Sequence, residues 1–336
     1  MTKYDPRLRD ASGAFAGDDW TSMGEIGQTF DGRVLTRRRY EQVESAYLIA
    51  VELFAQASGI NELVVRTPGL HGTSSGRLLT GYGPEVSNLS AEEFYDGRPV
   101  SLAAGLELVR AMLREDGVWC RLEAEGRFSL AVGWDYYLYV SSHRPCSQAV
   151  DQVRGLGLFV DEGFTSPYDL DLEDPVPHRS ADAGFWAEVE LLARRTDGEV
   201  PLLEMWAYNA WCWHLVAPGD GTARVRAALR PRAMVTAFIG APVAVNDGSM
   251  VEISAHARRL LAEDFSVAGV MCLIEDKGTG RLRHDYLLDD DNLSSWLETA
   301  READRCAVYP ADADDQPGAL VAVLPDEDGI VRARWA

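Results

Sequence analysis

Two stretches of this chain carry the same landmarks in the same order, and that order limits the fold more than anything else in the sequence. The first runs "EIGQTFDGRVLTRRRYEQVESAYLIAVELFAQASG" and the second "FIGAPVAVNDGSMVEISAHARRLLAEDFSVAG". Ile26-Gly27 matches Ile239-Gly240, and Asp31-Gly32 matches Asp247-Gly248. An amphipathic helix follows each, ending near Gly59 or Gly269. Next come a strand ("ELVVRT" or "VMCLIED") and a glycine-rich turn that reaches Gly76-Arg77-Leu78 or Gly280-Arg281-Leu282. A second helix, "SLAAGLELVRAMLRED" or "NLSSWLETAREAD", leads to a short strand containing Cys120 or Cys306, and two more strands close each copy. Landmarks that recur in the same order along more than a hundred residues point to repeated structure. The expected fold class is α+β: two related modules from an internal duplication, each a mostly antiparallel sheet with two helices on one face.

The spacing supports these elements. Tyr40, Val43, Tyr47, Val51 and Phe54 recur at three- and four-residue steps, the period of a helix that buries one face. "ALVAVL", "IVRARW" and "LGLFV" read as strands. The expected boundaries are 18–142 for the first repeat, 143–231 for a connecting segment with helices and strands, and 232–336 for the second repeat. Within the connector, Pro and Asp mark "TSPYDLDLEDPVPHRSAD" as a linker. A helix is expected near 184–196, before the aromatic stretch "LLEMWAYNAWCWHLV".

Charge bears on partners. The net charge is −21, spread along the chain rather than gathered in a tail. Phosphate binding needs clustered Lys and Arg, so neither a nucleic acid nor an anionic membrane is an expected partner; a basic protein is. Lys3 and Lys277 are the only lysines among 32 basic residues, a bias that reflects a GC-rich bacterial genome rather than a binding function. "MTKYDPRLRDASGAFAG" has no apolar segment and no run is long enough to span a bilayer, so a soluble cytoplasmic protein is expected. The five cysteines are scattered without a C-x-x-C pair, which points to reduced, mostly buried thiols and to no zinc ribbon. No cofactor is expected.

Several motifs compete with plainer readings. Gly72-Thr73-Ser74-Ser75-Gly76 fits G-x-S-x-G, but strand-like "RLLTGYG" follows where a nucleophile elbow needs a helix, so the segment reads as a turn. In "DYYLYVSSHRPCSQAVDQVRG", Cys146 opens a helix three residues after His143. Helix amides and a nearby imidazole favour a thiolate, so a cysteine-dependent hydrolase is one reading. Pro145 in the first turn and capping by Ser142 or Ser147 is the structural one, and it is preferred. Cys212 and His214 share one face of a strand and Trp211 and Trp213 the other; two ligands do not complete a zinc site, and no metal is assigned. The acidic clusters are Asp169, Asp171, Glu173 and Asp174; Asp289, Asp290 and Asp291; and Asp312, Asp314 and Asp315. None follows a calcium-loop pattern. The first two clusters are the candidate partner-binding carboxylates. Trp134, Tyr136 and Leu138 are expected to alternate along a strand with Asp135, Tyr137 and Tyr139, which makes Tyr137 and Tyr139 candidate contacts.

Three functions fit. The leading one is a non-enzymatic, acidic interaction protein, in its most concrete form a bacterial immunity or inhibitor protein that neutralises a basic toxin such as a nuclease. The second is the Cys146/His143 hydrolase. The third is a small-molecule sensor that binds between the two repeats.

Overall fold

The computed structural model describes residues 1–11, 15–71, 78–163, 166–168, 178–195, 198–262, 269–310 and 319–335. It is α+β, with antiparallel sheets throughout. The chain divides into two compact units. One comprises Met1–Val176, Trp206–Ala210 and Ala333–Ala336, the other Pro177–Met205 and Trp211–Arg332.

The first unit opens with a hairpin of β1 (Thr29–Phe30) and β2 (Arg33–Val34), turned by Asp31 and Gly32 at positive φ. The helix α1 (Arg37–Ser58) follows. Thr36 caps it by accepting from the Arg39 amide at 3.2 Å, and Gly59 at φ 69° ends it in the left-handed region. Tyr40, Tyr47, Val51 and Phe54 are buried as the spacing predicts. Then come β3 (Glu62–Leu70), the short α2 (Pro84–Ser87), β4 (Pro99–Ser101), α3 (Leu102–Leu113), β5 (Val118–Ala124), β6 (Phe128–Val132), β7 (Leu138–Ser142) and α4 (Ser147–Gly155). The sheet order is β4-β3-β5-β6-β7, so β7 lies at one edge. Cys120 and Leu122 of β5, Leu130 of β6 and Leu138 of β7 are buried, as are Leu108 and Val109 of α3.

The expected strand 134–139 starts late. Trp134–Tyr136 is a 3-10 turn, with Asp135 and Tyr136 at φ 52° and 62°, and the strand begins only at Leu138. Tyr136 explains the turn. Its hydroxyl meets the Leu113 carbonyl and the Tyr40 hydroxyl at 2.8 Å each, and its own carbonyl accepts from the Tyr47 hydroxyl at 2.6 Å. A strand cannot place side chain and carbonyl on that buried set together. "LGLFV" forms only an isolated bridge, Phe159 with Thr2.

The second unit holds α5 (Ala183–Arg195), β8 (Val200–Ala207), β9 (Ala210–Val216), α6 (Gly221–Ala228), β10 (Met234–Phe238), β11 (Val243–Ala244) and α7 (Asp247–Ala262). It continues with β12 (Val270–Glu275), β13 (Leu282–Leu287), α8 (Asp290–Ala300), β14 (Arg305–Pro310) and β15 (Ala319–Val323). The two end residues of β8 and the first of β9 are counted with the first unit. Its strands form two sheets, β15-β10-β8-β9 and β11-β14-β12-β13. Alternation along β12 sets the layering. Val270, Cys272 and Ile274 pack with Met250, Ile253, Leu293 and Trp296 of α7 and α8. Met271 and Leu273 face the other way and meet Trp213 and Phe238 of the β15-β10-β8-β9 sheet. That sheet buries Leu202, Val216 and Val235 against Phe185 and Val189 of α5. The unit is therefore helices, sheet, sheet and helices in four layers.

The landmark order from the sequence recurs in part. In both units a long helix leads to a strand that lies between the next two strands, β4-β3-β5 in one and β13-β12-β14 in the other. The units then diverge. β6 and β7 extend the first sheet, whereas β15 joins β10 in a different sheet, and "IVRARW" is not a strand. The matched Asp-Gly pairs also do different work: Asp31-Gly32 turns a hairpin, and Asp247-Gly248 is the first turn of α7. Among the described residues, no helix is long and apolar enough to cross a membrane.

Candidate functional site

Cys146 and His143 do not converge into a nucleophile–base pair. The His143 ring Nδ1 lies 2.8 Å from the Arg127 carbonyl. The Cys146 thiol lies 3.3 Å from the Arg144 carbonyl and 3.8 Å from the Ser58 hydroxyl. No hydrogen bond links the two side chains. Cys146 occupies the N-cap of α4 without making a side-chain cap, and the Ser142 hydroxyl accepts from the Arg144 amide at 3.1 Å in the approach to the helix. Of the other thiols, Cys120, Cys272 and Cys306 are buried, and burial pushes each above the usual thiol pKa.

Cys212 and His214 lie on β9 as the sequence predicts. His214 serves a carboxylate rather than a metal. Its Nε2 is 2.8 Å from Glu204, a fully buried residue of β8 that also accepts from the Arg230 amide at 2.6 Å and its guanidinium at 2.9 Å. Neutralising a buried carboxylate with several donors is what the interior requires. Among the described residues, no group of three His, Cys, Asp or Glu could hold a metal ion.

Tyr137 and Tyr139 are half-buried, with Tyr137 5.8 Å from the Tyr4 ring and Tyr139 5.6 Å from Tyr168. Both face a cavity in the first unit. Asp169, Asp171, Glu173 and Asp174 lie outside the described residues, as do Asp312, Asp314 and Asp315 and the Gly72–Gly76 motif.

Asp289, Asp290 and Asp291 are exposed at the start of α8. Asp289 is the N-cap and accepts from the Asn292 amide at 2.8 Å. Asp290 and Asp291 complete an acidic first turn, where the helix dipole favours negative charge. Among the described residues, Asp290 alone of the three has a nearby guanidinium, Arg258 at 3.7 Å.

The residues just before this turn add apolar surface that the sequence reading missed. On β13, an edge strand of its sheet, His284 lies 4.3 Å from the Trp211 ring, 5.5 Å from Trp213 and 5.0 Å from Tyr286. Trp213 Nε1 donates to His284 Nδ1 at 3.0 Å, which places the ring proton on Nε2. Burial lowers the His284 pKa to about 4, so the ring is neutral in this stack. The outer members stay open: Tyr286 is 54% exposed, Leu288 69% and Trp211 38%. Residues 285–291, "DYLLDDD", therefore alternate exposed carboxylates with exposed apolar side chains around the buried Leu287. The cue in the sequence is an apolar strand end running directly into an acidic helix cap.

Comparison of the chain with protein-family models, with curated proteins and with solved structures finds no match in any of the three.

Proposed function

We propose that this chain is a non-enzymatic interaction protein that binds a basic protein partner through the acidic, aromatic-flanked segment 285–291. The observation that carries this reading is the exposure of Tyr286 and Leu288 directly beside Asp285 and Asp289–Asp291. Carboxylates in a chain of net charge −21 steer a cationic partner, and apolar side chains next to them supply the surface that is desolvated on docking. The concrete form is a bacterial immunity or inhibitor protein that neutralises a cationic toxin such as a nuclease. We propose further that the two units descend from a duplication, supported by the shared order β4-β3-β5 and β13-β12-β14.

The kinetic test uses Asp290→Lys with Asp291→Lys and leaves the Asp289 cap in place. Electrostatic steering accelerates association by about 10- to 1,000-fold, so this double reversal should slow binding to the captured partner by about tenfold and flatten its salt dependence. Unchanged association and an unchanged salt slope would remove the segment from the interface.

A further inference from the structure

The first unit contains a cavity of about 660 Å³, within the size range of small-molecule sites. Arg121, Ser129, Ala131, Tyr139 and Ser141 of β5, β6 and β7 form its floor, and Phe54 of α1 and Val150 of α4 also line it. There Arg121, Ala131 and Tyr139 sit side by side across the three strands, because Arg121 pairs with Ala131 and Ala131 with Tyr139. Ser129 and Ser141 form the next row.

The walls are unusual for so acidic a chain. Arg9, Arg121 and Arg144 all line the cavity, together with Tyr137, Tyr139 and Tyr168. The carboxylates at its rim are already engaged: Asp161 with Arg9 at 2.9 Å, and Glu162 with Arg154 at 3.0 Å. Arg144 has no carboxylate partner among the described residues. Arg121 is more telling, since its side chain is only 8% exposed. It donates to the Tyr168 carbonyl at 2.7 Å, while Glu123 is 3.6 Å away and lies closer to Arg66, at 3.1 Å. Among the described residues its buried Nε has no hydrogen-bond acceptor, and neither does that of Arg9. An unmet buried donor costs about 1–3 kcal/mol, and a guanidinium pairs with an oxyanion through charge-assisted hydrogen bonds.

We propose that this cavity binds a small aromatic anion, attracted by the cationic wall of Arg9, Arg121 and Arg144 and with its ring packed among Tyr137, Tyr139 and Tyr168. The site is separate from segment 285–291 and does not depend on the partner reading. Positive charge focused in a pocket is what lets a chain of net charge −21 hold an anion at all. Tyrosine rings add contact area in the offset or edge-on arrangements that Tyr139 and Tyr168 already adopt.

Calorimetric titration of the full chain with benzoate, phenyl phosphate, inorganic phosphate and benzylamine tests the proposal. Benzoate or phenyl phosphate should bind, and whichever binds more tightly identifies the head group. Inorganic phosphate and benzylamine should bind far more weakly. Arg144→Gln, at an exposed position, should weaken the aromatic anion by about tenfold, the effect of one hydrogen bond to a charged group. Ser129→Phe should fill the floor and abolish binding; unchanged circular dichroism would show that this variant folds. The proposal is overturned if neither aromatic anion binds, if benzylamine or inorganic phosphate matches them, or if both variants bind like the parent chain.

Discussion

Single residues show how little chemistry sequence spacing alone settles here. His143 and Cys146 are three apart, yet the imidazole points to a carbonyl and the thiol to Ser58 and Arg144, because the strand–helix junction sends them in different directions. Cys212 and His214 do share a strand face, but the partner that matters, Glu204, comes from the neighbouring strand and gave no local signal. His284 was equally invisible, since its neighbours Trp211 and Trp213 lie about seventy positions away in sequence. Its pKa, near 6.5 in an unfolded chain and about 4 when folded, carries a definite sign. The unfolded state takes up the proton more readily, so this contribution to stability is full above pH 6.5 and is lost as pH falls from 6.5 toward 4. Protonation also ends the acceptance from Trp213. Denaturant unfolding followed by tryptophan fluorescence should show a midpoint that drops over this window in the parent chain and drops less in His284→Asn. Parallel pH profiles would contradict the assignment.

At the scale of elements, the sequence was most legible where local period and capping agree. α1, α3 and α8 start at Thr36, Ser101 and Asp289, each of which accepts a hydrogen bond from a backbone amide two or three residues into its helix. The aromatic stretch after α5 resolves into β8 and β9, turned through Asn209 at φ 62°. Legibility failed where tertiary contacts override pattern. Tyr136 pulls the expected strand into a turn, and "IVRARW" stays outside every sheet because β15 ends the pairing before it. The Asp289 cap gives a direct check. Asp289→Ala should cost about 1 kcal/mol of unfolding free energy, and Asp289→Ser should restore most of it. Equal stabilities for the two variants would show that Asp289 is free of capping duty and belongs with the binding carboxylates alone.

Across the whole molecule, the sequence conveyed class and charge but not layering. The α+β class and the helix–strand order were readable, because each element carries its own period. The four-layer arrangement of the second unit was not, because it depends on both faces of β12 being apolar, and an uninterrupted "VMCLI" does not say what covers either face. The acidity is a property of the entire chain, and the proposed partner is defined by it. The most direct test is affinity capture with the tagged chain from its native host at low and at high salt, read by mass spectrometry. The account predicts a stoichiometric basic protein that is retained at low salt, lost at high salt, and depleted in captures with the Asp290→Lys, Asp291→Lys chain. A clean chain with no partner at low salt, or a partner held equally by the reversed variant, would contradict it.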